Sequence, residues 1–166
     1  MGVVAREAEE NMARLDGTLA SVLADRYAAN ATRIRELATP LTDAQFWRKP
    51  FPYGNSFGHL VLHLTGNLNY YIGAQIAKTS YVRDRPRELN DPNPPSKAEA
   101  LKLFDEAVAI VQQTIRAQSP DDWSADYSGA GTDAKTRLAM ILQCAAHMQH
   151  HIGQMIYLVY ELKAAS

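Results

Sequence analysis

With 166 residues, 17 Lys and Arg against 18 Asp and Glu, and a formal net charge of −1, the chain has no electrostatic bias toward nucleic acid or an anionic membrane. Its length fits one domain over residues 1–166, large enough to bury a core without help from a disulfide or a metal. Cys144 has no second cysteine to pair with, Met1 to Glu7 lacks a signal peptide's apolar core, and Met155 to Tyr160 is far short of the ~20 apolar residues of a membrane span, so a cytoplasmic location is expected.

From about Glu9 to Ala38 helix formers dominate. Leu15, Leu19, Val22, Leu23, Tyr27 and Ile34 recur there at helical spacing, with Gly17 as a weak point, and Pro40 ends the segment. Thr42-Asp43-Ala44-Gln45 is a capping box for one turn carrying Phe46 and Trp47, and Pro50 to Gly54 is a loop. Asn55 or Ser56 caps a second long helix from about Phe57 to Thr79. Arg83 to Pro95 is polar and broken by proline, and reads as a connection outside the core. Ser96-Lys97-Ala98-Glu99 opens the third helix, which carries Ala100, Leu101, Phe104, Val108, Val111 and Ile115 and stops near Ser119-Pro120. Asp121 to Trp123 forms a short turn and Ser128 to Gly131 a loop. Thr132 or Asp133 then caps the last helix, which runs to about Leu162. No segment alternates with period two. Four amphipathic segments predict an all-α four-helix bundle. Connections of about 12–16 residues exceed what antiparallel hairpins need, so crossover connections with short extra helical turns are expected.

All five histidines fall in two windows, His59 and His63 on the second long helix and His147, His150 and His151 on the fourth. The i, i+4 pairs His59/His63 and His147/His151 each share a helical face. At roughly 100° per residue, His63 lies about 120° from the centre of the apolar arc formed by Phe57, Leu60, Val61, Leu64, Leu68 and Tyr71, and His59 about 160°. On the fourth helix the arc holds Met140, Ile141, Cys144, Met148, Met155, Leu158, Val159 and Leu162. His151 is about 40° from its centre, His147 about 80° and His150 about 140°. The inward set is therefore His63, His147 and His151, with His59 and His150 solvated or supporting. A lone histidine on such a face is ordinarily a satisfied core or surface residue. Three that pass both tests fit a divalent metal, with a fourth position left for water or substrate as in catalytic sites.

Other chemistries fail on spacing. No Glu-x-x-His supports a di-iron bundle, no His-Glu-x-x-His a zinc protease, and no Cys-x-x-Cys-His an attached haem. Gly129-Ala130-Gly131 follows no strand and reads as a loop, not a dinucleotide fingerprint. Cys144 reads as a small buried hydrophobe.

Asn55-Ser56-Phe57-Gly58 followed by Leu62-His63-Leu64, and His147-Met148-Gln149-His150-His151-Ile152-Gly153-Gln154, resemble the two signature windows of the DinB/YfiT-like superfamily of metalloenzymes. Thr65-Gly66-Asn67-Leu68 resembles a branch with Gly-Asn after the ligand histidine, whereas Ile152 stands where many members carry arginine. The resemblance implies an up-down-down-up bundle, often a homodimer, with nickel or zinc on His63, His147 and His151. It also implies a thiol-dependent S-transferase or isomerase using a low-molecular-weight thiol on a small-molecule substrate. Asn67 and Gln154 lie about 80–100° from their core centres and are candidate cofactor-binding residues, against the plainer reading of packing or solvated amides. Tyr70, Tyr71, Trp47 and Trp123 either line a pocket or are plain core. Arg83, Arg85 and Arg87 read as a solvated face, with a carboxylate-bearing thiol as the sharper alternative. The competing function is a bundle whose ion, or bound ligand, has a structural or regulatory role and no catalysis.

Overall fold

Capping side chains and prolines set the element boundaries in the computed structural model, which describes residues 2–164. The helices are α1 (Gly2–Ala38), α2 (Asp43–Trp47), α3 (Phe57–Leu68), α4 (Arg85–Asn90), α5 (Lys97–Arg116), α6 (Pro120–Ser124) and α7 (Arg137–Ala164). Thr42 and Gln45 form the expected capping box of α2. Ser56 Oγ accepts from the His59 N–H at 3.1 Å and so caps α3, and Ser96 Oγ accepts from the Glu99 N–H at 3.2 Å and caps α5.

Four boundaries differ from the sequence expectation. α1 begins at Gly2 and not near Glu9. Gly17 meets nothing within 4 Å, so it interrupts no contact, and Leu15 and Val22, 66% and 61% exposed, lie off the buried stripe. α3 passes at Asn69–Ala74 into a wider π-helical turn, in which the Gln75 N–H donates to Tyr70 O at 3.2 Å and the Ala77 N–H to Ile72 O at 2.9 Å. Lys78, with φ of 59°, then turns left-handed and stops the chain short of Thr79. The segment expected to be a core-free connection contains α4: Asp84 Oδ1 accepts from the Arg87 N–H at 3.2 Å, Pro86 sits in the first turn, and Glu88 is buried. α7 starts at Arg137 because Tyr127 N–H donates to Lys135 O and Arg137 N–H to Ala125 O, holding residues 125–137 as a loop. Thr136, not Thr132 or Asp133, is the cap, its Oγ1 accepting from the Ala139 N–H at 3.2 Å.

The four long helices form a ring in the order α1, α5, α3, α7, so α1 sits diagonally from α3 and α5 from α7, while α3 and α5 are neighbours. Pairings along the chain give their directions. Tyr27 meets Ile141 and Asn30 meets Ala145, making α1 and α7 parallel. Arg35 meets Asp105 and Gln112 meets Ala24, making α1 and α5 antiparallel. His63 meets His147, while Tyr127, in the loop before α7, meets Tyr71, which places α3 and α7 antiparallel. This is the up-down-down-up crossover bundle. Its interior is filled by Tyr27, Phe57, Phe104, Ile141, Met148 and Met155, all fully buried, and the Tyr27 hydroxyl is satisfied by donating to Ile141 O at 2.7 Å. No described helix is long and apolar enough to cross a membrane.

α3 is covered on nearly every side. α5 and α7 flank it, α2 lies over its start and α4 over its middle, so that ten of its twelve residues are buried. A helix in that position has no solvent face, and this governs the site.

Candidate metal centre

α3 and α7 cross so that three imidazoles point at one another. His63 Nε2 stands 3.1 Å from His147 Nε2, and His151 Nε2 stands 3.2 Å from the same atom. All three nitrogens lie within 4.8 Å of one another. The far edges of two rings are tied down. His63 Nδ1 faces Glu88 Oε2 at 3.0 Å, and His151 Nδ1 faces Gln154 Oε1 at 2.7 Å. A carboxylate and an amide oxygen only accept, so each Nδ1 carries the proton and each Nε2 presents a lone pair inward. His147 Nε2 meets both lone pairs, and a single proton there serves only one of them. With the His147 proton moved to Nδ1, three lone pairs point inward, the donor set of a divalent cation. Nitrogens about 2.0–2.1 Å from a tetrahedral ion stand about 3.3–3.4 Å apart, close to the two spacings observed.

Burial favours the neutral form of His147 and His151, the form that ligates. The His147 pKa is pushed down to about 4, by burial first and then by the neighbouring His151, His63 and His150 rings and Arg83. Burial also lowers His151, against a smaller opposing effect of its hydrogen bond to Gln154.

Glu88 is the residue that sequence reasoning missed. Its side chain is 6% exposed and accepts from Arg83 Nε at 2.7 Å and Arg83 Nη2 at 3.0 Å as well as from His63. Burial alone would raise this carboxyl; the hydrogen bonds from His63 and Arg83, with the guanidinium charge, outweigh it and hold the pKa below the usual carboxylate range. Gly66 makes the space: a Cβ there would sit 2.6 Å from Glu88 Cδ. The Asp84 cap and Pro86 in the first turn were the signals that could have revealed α4 and with it Glu88.

The other candidate residues occupy varied environments. His59, expected to face solvent, is 9% exposed. Its Nδ1 is 2.5 Å from Ser56 Oγ, and its ring meets Trp47 edge-on at 5.5 Å. The single-arc wheel failed because α2 covers the outer face of α3. His150 is exposed, and the Gln154 amide bridges it to His151, with Gln154 Nε2 3.1 Å from His150 Nε2. Asn67 is buried beside a cavity of about 230 Å³ whose wall includes His63, His147, Tyr71 and Cys144. Tyr71 is thus a pocket residue and Trp123 is core. Arg83 is half-buried, not a solvated charge, and lies 5.7 Å from the Tyr71 ring centre. Burial pushes the Cys144 thiol up to about 12 against a smaller lowering by Arg83.

The DinB superfamily profile matches residues 26–155, which contain all three converging histidines. The chain belongs to the DinB superfamily. The crystal structure of a conserved protein from Enterococcus faecalis shares the bundle, with a TM-score of 0.71 at 16% identity over 87% of this chain and 96% of that one. That likeness concerns the fold. No curated protein matches the chain. Both ends of the superfamily match lie within helices, α1 and α7, so the match covers parts of all four sides of the bundle.

Proposed function

We propose that this chain is a divalent-metal-dependent enzyme, with His63, His147 and His151 holding nickel or zinc, and that it transfers small electrophiles onto a low-molecular-weight thiol. The observation that carries the reading is the convergence of three Nε2 atoms while Glu88 and Gln154 fix the outer nitrogens of two rings. A bound divalent ion supplies acidity, lowering the pKa of a ligated thiol so that thiolate is present at neutral pH.

The protein's own residues hold and orient. Glu88 and Gln154 keep His63 and His151 in the ligating tautomer, and Asn67 borders the space where thiol and substrate would meet, whereas Gln154 lines a separate cavity with Phe51, Leu60 and Tyr157. Cys144, buried with its pKa near 12, stays protonated, so the attacking sulfur has to come from a co-substrate. Attack forms a carbon–sulfur bond, the leaving group departs with the electron pair, and the thiol proton goes to solvent.

The same reading places the chain as one domain in the cytoplasm, as a homodimer. The free, buried Cys144 suits a reducing compartment. Leu142, Gly153, Tyr157 and Tyr160 form one exposed stripe on α7 that suits a second copy.

Elemental analysis after metal loading tests the proposal. One ion per chain is expected, lost in His63→Ala and retained in His59→Ala. The loaded protein should consume thiol in the presence of an aromatic halide. Stoichiometric metal without turnover over a panel of thiols would favour the non-catalytic alternative, and equal loss of metal in both variants would contradict the ligand assignment.

A further inference from the structure

Resting on that metal reading, the geometry points to a carboxylate subsite on Arg85, so that the small molecule entering the cavity beside the triad carries a carboxylate. His63 and His147 form one part of the cavity wall, and Asn67, Arg83, Arg85 and Thr132 another. No aspartate or glutamate lines it among the described residues. Two guanidinium groups border it, and they are not equivalent. Arg83 is neutralised from behind by its two bonds to Glu88. Arg85, in the exposed first turn of α4, forms no ion pair among the described residues, and the nearby Asp84 carboxylate is engaged in capping that helix. Apart from the ion at the triad, the fixed charge left over is one positive unit on Arg85, enough to pair with one carboxylate. A guanidinium offers the forked donors that a carboxylate accepts.

A second feature marks this cavity as built for a ligand. Asn67 is 8% exposed, and its Oδ1 is buried with no hydrogen-bond partner. A buried acceptor left unmet costs about 1–3 kcal/mol, so its place in a cavity wall calls for a donor from outside the protein, supplied by a water held with the ligand or by a ligand group other than its carboxylate and thiolate. The Thr132 hydroxyl does not supply it, since it donates to Gln143 Oε1 at 2.7 Å. The volume, about 230 Å³, is below the ~300 Å³ lower end for drug-sized ligands and suits a short-chain molecule.

The test uses cobalt-loaded protein titrated with mercaptobutanoate and, separately, mercaptobutanol, following the cobalt–thiolate absorption. The carboxylate thiol should bind roughly ten-fold tighter. Arg85→Gln, at an exposed position, should bring the two within about two-fold while leaving the affinity for the alcohol unchanged. Equal affinities in the native protein, or a preference that survives Arg85→Gln through chelation alone, would overturn the subsite and leave the metal reading standing. Failure of cobalt to bind would overturn both.

Discussion

Replacing Glu88 with glutamine removes one charge and almost no volume, yet it leaves a buried network short of an acceptor. The two carboxylate oxygens receive three donors: Arg83 Nε at 2.7 Å, Arg83 Nη2 at 3.0 Å and His63 Nδ1 at 3.0 Å. An amide has one accepting oxygen, so in either orientation at least one donor meets an NH2 group. Hydrogen bonds to charged groups contribute about 1.5–3 kcal/mol against about 1 for neutral ones, and a buried ion left unpaired costs about 3–5 kcal/mol. Arg83 retains some access to solvent, which favours the lower part of that range, so Glu88→Gln should destabilise the metal-free protein by about 3 kcal/mol. Loss of the carboxylate behind a ligating histidine typically weakens metal binding about 10–100-fold. Urea unfolding in the presence of a chelator measures the first effect, and zinc competition against a chromophoric chelator the second. If the variant loses stability but binds zinc as tightly as the native protein, Glu88 only supports the fold and does not set the ligating tautomer of His63.

Two further outcomes rest on the same geometry. At an ordinary helical site Gly→Ala gains about 1 kcal/mol, but Gly66→Ala should lose stability and metal affinity together, because the new methyl group displaces the Glu88 carboxyl; a more stable variant with native zinc affinity would contradict this. In the metal-free protein the His147 ring should titrate near pH 4 and not near 6.5, because it is buried among other imidazoles. The unfolded chain then takes up the proton first, so stability declines as pH falls from about 6.5 toward 4 and this contribution levels off below. Ring-proton shifts by NMR read the midpoint, and a value above 6 would show that burial does not dominate there.

Much of the bundle was legible because its helices announce themselves by caps and apolar spacing: Thr42, Ser56 and Ser96 all act as read. The apolar arc of α7 is buried as expected, since that helix has one interior face and one outer face. α3 does not. With α2 and α4 laid across it, its outer residues are buried too, and a wheel with a single arc sends His59 to the wrong environment. The convergence of His63, His147 and His151 could be anticipated from i, i+4 spacing, because it depends on the local geometry of two helices. The Arg83–Glu88–His63 chain could not be anticipated that way. It joins residues through a short helix in a segment whose polarity reads as solvent exposure, and only the space over Gly66 shows why a carboxylate is buried there. The late start of α7 has the same origin: Thr132 has the composition of a cap, but its hydroxyl is engaged by Gln143, and pairing of the preceding loop moves the cap to Thr136.

X-ray absorption on the zinc-loaded protein tests the central claim most directly. Three imidazole nitrogens and one exogenous oxygen or nitrogen donor are predicted at about 2.0–2.1 Å, with one histidine lost from the shell in His63→Ala. A first shell with sulfur from Cys144, or with fewer than three imidazoles, would contradict it.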